Sequence, residues 1–307
     1  MHCKARTKLT CEKPWSVYRP LKIIGYFYAM KKIVLTGAAG RLGSYLREPL
    51  TAMADELVST DIVDDIGKTY NGESYHQADL ASLDDMLRVL EGAEMVVHMG
   101  AYADEGPFEQ LLGPNFVGAY NIWEAAYRND LRRVVYGSSI HAVGMYPKNT
   151  FIDTEVRHRP DTFYGLAKCF AEDLGSMYWD KRGLESVHMR ILSCAQVNNA
   201  RALGSWLSYD DLIQLTQRCI EAPVTGFSVI YGVSDNDRAP VDNSKAHFLG
   251  YRPKDNAEQF AKKVLTEEPP MDPQDPGHMC HGGPFASVEL GNSGTAQMNI
   301  VDDKKQS

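Results

Sequence analysis

The chain has 307 residues, 44% of them hydrophobic and 23% charged, with a formal net charge of -8. That composition argues against a disordered, collagenous or membrane-spanning chain, and no apolar run approaches the ~18 residues of a membrane-crossing helix. The acidic balance argues against a dedicated nucleic-acid binder, and the length suits one large α/β domain or two small ones.

Residues 1–29 differ in character from the rest of the chain. They hold six Lys/Arg against one Glu, then a short apolar stretch that runs straight into a strand without a small-residue cleavage site. With Met30 directly before that strand, the segment reads as a disordered or non-native extension, a targeting segment being the alternative.

From Met30 onward strands and helices alternate. Apolar runs rich in Val, Ile and Leu at 32–36, 56–60, 95–98, 133–137 and 186–191 predict buried strands. Helical spacing at 42–53, 83–90, 115–128 and 164–181 predicts the helices between them. Buried strands separated by helices make an α/β, doubly wound parallel sheet of the Rossmann type, expected over residues 30–266. Residues 267–307 are polar and rich in Pro and Gly, which predicts an irregular tail wrapping the surface or a partner.

The first strand ends in Gly37-Ala-Ala-Gly40-Arg41-Leu42-Gly43, which opens a helix. Glycine lets the backbone turn tightly and approach a pyrophosphate, and the helix start offers free N–H groups to it. Asp61 ends the next strand. An acid there accepts the ribose hydroxyls and repels a 2′-phosphate, so the expected cofactor is NAD rather than NADP, although Arg41 could greet such a phosphate. Asp79-Leu80, after an apparent third strand, is placed to contact adenine or to cap a helix.

Downstream, Ser138-Ser139 follows the strand at 133–137, and Tyr164-Gly-Leu-Ala-Lys168 opens a helix. Residues four apart share a helix face, so Tyr164 and Lys168 can point into one cleft. A phenol of pKa about 10 is a poor base, but a neighbouring ammonium favours its phenolate. Tyr164 can then take a hydroxyl proton while Ser139 holds the same oxygen.

Glycine loop, Ser139 and YxxxK together resemble the extended branch of the short-chain dehydrogenase/reductase superfamily. From Lys31 to Phe285 the chain more closely resembles bacterial uronate dehydrogenases, in His98-Met-Gly-Ala, Pro107-Phe-Glu-Gln110, Arg159-Pro-Asp-Thr-Phe-Tyr-Gly-Leu-Ala-Lys-Cys169, Trp206-Leu-Ser-Tyr-Asp-Asp211 and Phe248-Leu-Gly-Tyr-Arg-Pro-Lys-Asp-Asn-Ala257. The resemblance implies NAD-dependent oxidation of C1 of galacturonate or glucuronate to the aldarolactone, with a small C-terminal substrate-binding portion. It implies that Asn115 completes a proton relay, that Met99, Gly100, Ala101 and Cys194 contact the cofactor, and that Ser193 and His141 face the sugar. It assigns the substrate carboxylate to Arg201, whose planar fork fits that group.

Two positions depart from the family pattern: Ile140 stands where the family has an asparagine, and Ala103 where it has a serine. Both remove hydrogen-bonding groups from a site that must read hydroxyls, which leaves open a neutral aldose or a sugar phosphate as substrate. A nucleotide-sugar epimerase or dehydratase and a non-catalytic NAD sensor are further alternatives. The first needs a larger C-terminal domain, and the second commonly loses the Tyr or Lys kept here.

Six scattered cysteines without a CxxC pair point to a reducing cytoplasm, and His278-x-Cys280-His281 reads as chance proximity rather than a metal site. Asp210-Asp211 reads as a solvated helix start. A homodimer or higher homo-oligomer is expected through the helices at 115–128 and 164–181, with a small sugar or sugar acid as the other partner and neither nucleic acid nor membrane.

Overall fold

The computed structural model describes residues 30–267 and 270–297; the extension read at residues 1–29 lies outside them. Strands β1 (Met30–Thr36), β2 (Ala54–Asp61), β3 (Glu73–Gln77), β4 (Met95–His98), β5 (Arg133–Ser139), β6 (Glu185–Ile191) and β7 (Phe227–Gly232) form one parallel sheet, ordered β3-β2-β1-β4-β5-β6-β7. The helices are α1 (Arg41–Thr51), α2 (Leu83–Val89), α3 (Phe108–Leu111), α4 (Gly118–Arg128), α5 (Phe163–Arg182), α6 (Ala202–Ser205), α7 (Tyr209–Glu221), α8 (Ala261–Glu267) and α9 (Pro276–Met279).

Strand alternation explains the layering. Ile33 and Leu35 of β1 pack with Leu46 and Leu50 of α1 and Leu212 and Leu215 of α7. Val34, between them, packs in a second cluster with Met86 of α2, Ile122 and Trp123 of α4 and Leu174 of α5. Successive side chains point to opposite faces, so a continuous apolar run feeds both cores at once.

Helix α5 has clear stops. The Thr162 hydroxyl accepts the Gly165 N–H at 3.0 Å, and Gly183 takes a left-handed φ of 68° after the last turn. The helix expected from residue 115 instead begins at Phe108 and passes through a π-helical turn, Leu112–Val117, before α4. Gly113-Pro114 reads as a break in sequence, and the wider turn carries the chain through it.

Two strands had no predicted range. β3 is an edge strand, largely polar, so it lacks an apolar run; its Glu73 accepts from Arg47 and Ser59. β7 closes the opposite edge and buries only its second half. Asp211 also departs from expectation. It is buried, accepting from Ser234 Oγ and from the N–H groups of Lys254 and Asp255, while Asp210 stays exposed.

Candidate active site

Strand order reverses between β1 and β4, the place in such sheets where a crevice opens beyond the strand ends. A cavity of about 790 Å³ lies there. Gly37 turns the chain at its base with a φ of +70°, and a Cβ there would fall 2.5 Å from the Gly100 nitrogen. Gly40, Arg41, Leu42 and Gly43 carry the wall into α1, whose N-terminus no side chain caps. Its first N–H groups are therefore available to an anion. Asp61 spreads its carboxylate between the N–H groups of Ala39 at 2.9 Å and Ile62 at 2.8 Å. Asp79, Leu80, Met99, Gly100 and Ala101 line the same space. These residues fit NAD: a tight loop in which a Cβ on Gly37 or Gly43 would strike neighbouring backbone, an uncapped helix start that would face a diphosphate, and an acid anchored where a ribose would be held.

The catalytic candidates close one end of this cavity. Tyr164 and Lys168 lie one turn apart on α5, with the Lys168 Nζ 5.2 Å from the Tyr164 ring centroid. That Nζ donates to the Gly137 carbonyl at 2.7 Å and approaches the Tyr136 hydroxyl at 3.4 Å. Ser139 ends β5 and its hydroxyl accepts the His141 N–H. Burial pushes the Tyr164 phenol up to about 12, opposed by a hydrogen bond from Ser139. Burial likewise pulls Lys168 down to about 7, opposed by the charge of Glu172 one turn further on. A dry cleft thus penalises both charged forms, and each group needs its neighbours in order to ionise.

Beyond Tyr164, His141 pairs through Nδ1 with Asp161 at 2.7 Å, and the Asp161 side chain is fully buried. The His141 ring stacks on Phe285 with centroids 4.1 Å apart. Ser193, Cys194 and Ala103 also line the cavity.

Three residues assigned to the site by resemblance do not line it. Ile140 points away, into a buried apolar cluster with Val143, Ile152, Leu192 and Tyr231, because the 3-10 turn Ile140–Val143 turns its side chain into the core. Its apolar character is a packing feature and does not relax the pocket. Asn115 is buried in the π turn, where its amide brackets the backbone of Tyr102: Oδ1 accepts the N–H at 2.7 Å and Nδ2 donates to the carbonyl at 3.0 Å. Arg201 donates to the His281 carbonyl at 2.9 Å and approaches Ser205 Oγ at 3.5 Å. Burial lowers its pKa to about 10, with Asp161 opposing, so it remains a cation at neutral pH.

Other wall residues were not expected. Ile62 and Val63, just past the ribose acid, are 64% and 39% exposed and line the cofactor end. Their signal was present, as two apolar residues in a polar loop. Phe285 and Thr295 reach the cavity from the tail, and nothing local in that Pro- and Gly-rich segment announced it. Nearby, His281 donates through Nε2 to the Thr150 carbonyl; among the described residues no group of His, Cys, Asp and Glu is arranged to hold a metal.

The model of the NAD dependent epimerase/dehydratase family matches residues 33–195. The chain is 42% identical over 257 residues to the uronate dehydrogenase of Agrobacterium fabrum, covering 83% of this chain and 97% of that one. The crystal structure of uronate dehydrogenase from Agrobacterium tumefaciens superposes with a TM-score of 0.81 at 41% identity, covering 85% of this chain and 98% of that one. Similarity to the NAD-dependent glucose-6-phosphate dehydrogenase of Haloferax volcanii is lower, 30% identity over 74% of this chain and 95% of that protein.

Proposed function

The chain belongs to the NAD dependent epimerase/dehydratase family and, within it, to the uronate dehydrogenases, and on that premise we propose that Tyr164 is the base that opens the C1 hydroxyl of a uronic acid to oxidation. The protein is an NAD-dependent dehydrogenase that converts galacturonate or glucuronate to the aldarolactone. The observation that carries the residue assignment is the meeting of Tyr164, Lys168 and Ser139 at the end of the cavity whose other end is the glycine loop.

The glycine loop and Asp61 would hold NAD, which when bound would supply the hydride acceptor for C1. Every other requirement falls on side chains. Ser139 offers its hydroxyl to the C1 oxygen, and Tyr164 removes the proton from it. The Lys168 ammonium, held by the Gly137 carbonyl, supports the phenolate. Asp161 fixes the orientation of His141, which presents its other nitrogen to the sugar hydroxyls. Arg201 meets the carboxylate by exchanging the neutral His281 carbonyl for a charged acceptor, the stronger partner. Ser193 and Ala103 complete the sugar wall, and Asn115 acts from behind it by fixing the Tyr102 backbone.

The described cysteines are free, which supports work in the reducing cytoplasm; no helix among the described residues is long and apolar enough to cross a membrane. A homo-oligomer is supported by the outer faces of α4 and α5, where Tyr120, Leu166 and Met177 are 42%, 43% and 49% exposed. The described part of the tail belongs with the catalytic unit, since Phe285 and Thr295 form part of its cavity.

The test is turnover of NAD with galacturonate and glucuronate beside glucose, galactose, arabinose and glucose 6-phosphate. Turnover with a uronate supports the assignment. Turnover only with a neutral or phosphorylated sugar would keep the chemistry of Tyr164 and replace the substrate.

A further inference from the structure

The loop after β4 and the far end of the tail are joined by a dense set of hydrogen bonds next to the catalytic tyrosine. Asp104 accepts the hydroxyls of Ser293 and Thr295, both at 2.5 Å, on one carboxylate oxygen. Its other oxygen accepts the N–H groups of Gly294 at 2.9 Å and Thr295 at 3.0 Å. Glu105, 0% exposed, accepts the Gly291 N–H on Oε1 and the Tyr164 N–H on Oε2, both at 2.9 Å. One residue therefore holds the strap, and its neighbour ties that strap to the first turn of the catalytic helix.

The strap in turn places the sugar wall. Gly294 lies flat against the Phe285 ring: a Cβ on it would fall 2.5 Å from the ring carbons. Phe285 stacks on His141 and stands 6.2 Å, centroid to centroid, from the Tyr164 ring. Thr295 itself lines the cavity. The path runs from Asp104 through Gly294 to Phe285 and then to His141, each link a direct contact.

We propose that Asp104 is a substrate-positioning residue, which by pinning residues 293–295 seats Phe285 on His141 and closes the sugar end of the cavity. The proposal rests on the reading that this end takes the sugar. Asp104 touches neither the reacting atoms nor the cofactor loop; its charge adds only a minor push to the Tyr164 phenol beside burial, so its main effect falls on sugar affinity. The state of its carboxyl agrees: burial acts to raise its pKa, yet the hydrogen bonds from Ser293 and Thr295 hold it below the usual value.

The experiment compares the full-length protein with Asp104→Asn, with the double variant Ser293→Ala/Thr295→Val, with all three changes together, and with Ser293→Thr, which keeps the hydroxyl outside the cavity wall. KM and kcat are measured with the sugar that the wild type oxidises. Losing charge-assisted hydrogen bonds should raise the sugar KM by about tenfold or more in the first two, with kcat within about threefold and the KM for NAD unchanged. Ser293→Thr should stay at the wild-type KM, and the triple variant should be no worse than the more affected of its parents, because both act through one contact. Limited proteolysis, run without sugar or cofactor, should cut the tail faster in Asp104→Asn than in the wild type.

A sugar KM that does not move, kcat and both KM values worsening together, or an additive triple variant would overturn the proposal. Equal tail cleavage in Asp104→Asn and wild type would also overturn it. If the wild type oxidises no uronate, the proposed function fails, and the proteolysis comparison still decides the clasp.

Discussion

Lys168 reaches past the face of Tyr164, its Nζ 5.2 Å from the ring centroid and 2.7 Å from the Gly137 carbonyl that anchors it. The ammonium is thus held by the strand that also ends in Ser139, so one β-strand and one helix set the geometry of all three proposed catalytic groups. The arrangement is costly to fold, because it buries an amine whose charged form water would stabilise.

The cost has a sign that can be checked. Lys168 has a pKa of about 7 in the folded chain against 10.5 for the ordinary side chain. Between these values the unfolded chain binds a proton that the folded chain does not, so the stability penalty is full below the folded pKa and fades as pH rises toward the unfolded one. Lys168→Met should lose activity by a factor of about 10²–10⁴. The same variant should melt about 3 °C or more above the wild type at pH 6, with the gain shrinking by pH 10. Thermal melts at both pH values check this; a variant less stable than wild type at pH 6 would contradict it.

The place of Asp61 at the end of β2, beside the glycine loop, predicts that it sets cofactor choice. Replacing it by Ser removes the charge that disfavours a 2′-phosphate, while Arg41 nearby can welcome one. Asp61→Ser should lower kcat/KM for NAD by about 10–100-fold and raise that for NADP, charge-assisted hydrogen bonds being worth about 1.5–3 kcal/mol each. Steady-state kinetics with both cofactors read the ratio. An unchanged preference would remove Asp61 from the ribose site.

The glycine loop, Asp61, Ser139 and the Tyr164–Lys168 pair were legible in the sequence because each signal is local. A turn that only glycine makes, an acid at a strand end and a spacing of one helical turn need no tertiary knowledge. The direction of Ile140 was not legible, because it depends on a 3-10 turn that sends the side chain into the core formed with Tyr231 and Val143. Arg201 is expected from sequence to face the cavity, whereas the carbonyl of His281, distant in sequence, holds it aside. Phe285 and Thr295 reach the site through contacts distant in sequence, the Gly144 and Tyr146 carbonyls with residues 281–282 and Asp104 and Glu105 with residues 291–295, a relation that no periodicity encodes. The polar edge strand β3 escapes delineation for a similar reason: its carboxylate Glu73 is matched by Arg47 of α1 rather than by an apolar pattern.

Glu172 lies buried behind the catalytic residues, accepting from Ser138, from His158 and twice from Arg190. Burial acts to raise its pKa, but the bonds from His158 and Arg190 outweigh it and hold the group at about 2. Its contribution is therefore present above the ordinary value of 4.5 and is lost as pH falls toward 2. Glu172→Gln leaves the Arg190 charge uncompensated and should cost about 3–5 kcal/mol. Urea unfolding at neutral pH measures it; a loss under about 1 kcal/mol would show that Arg190 finds another partner.

The exposed face shared by α4 and α5 should seal a contact between copies. Tyr120→Arg with Leu166→Arg places charge in the middle of it, and a buried unpaired charge is not tolerated. Light scattering should show a smaller particle for the double variant than for the wild type. A wild-type monomer, or a variant of unchanged mass, would place the interface elsewhere or remove it.

NADH formation with galacturonate and glucuronate by the wild type and by Tyr164→Phe reads the role of Tyr164 in uronate oxidation. The two proteins differ by one hydroxyl, and substrate-free melting curves establish that both are folded. The wild type should turn over clearly, and kcat should fall about 10³-fold in the variant, the contribution of a positioned general base together with its activated oxygen. Uronate turnover that survives in Tyr164→Phe would contradict it.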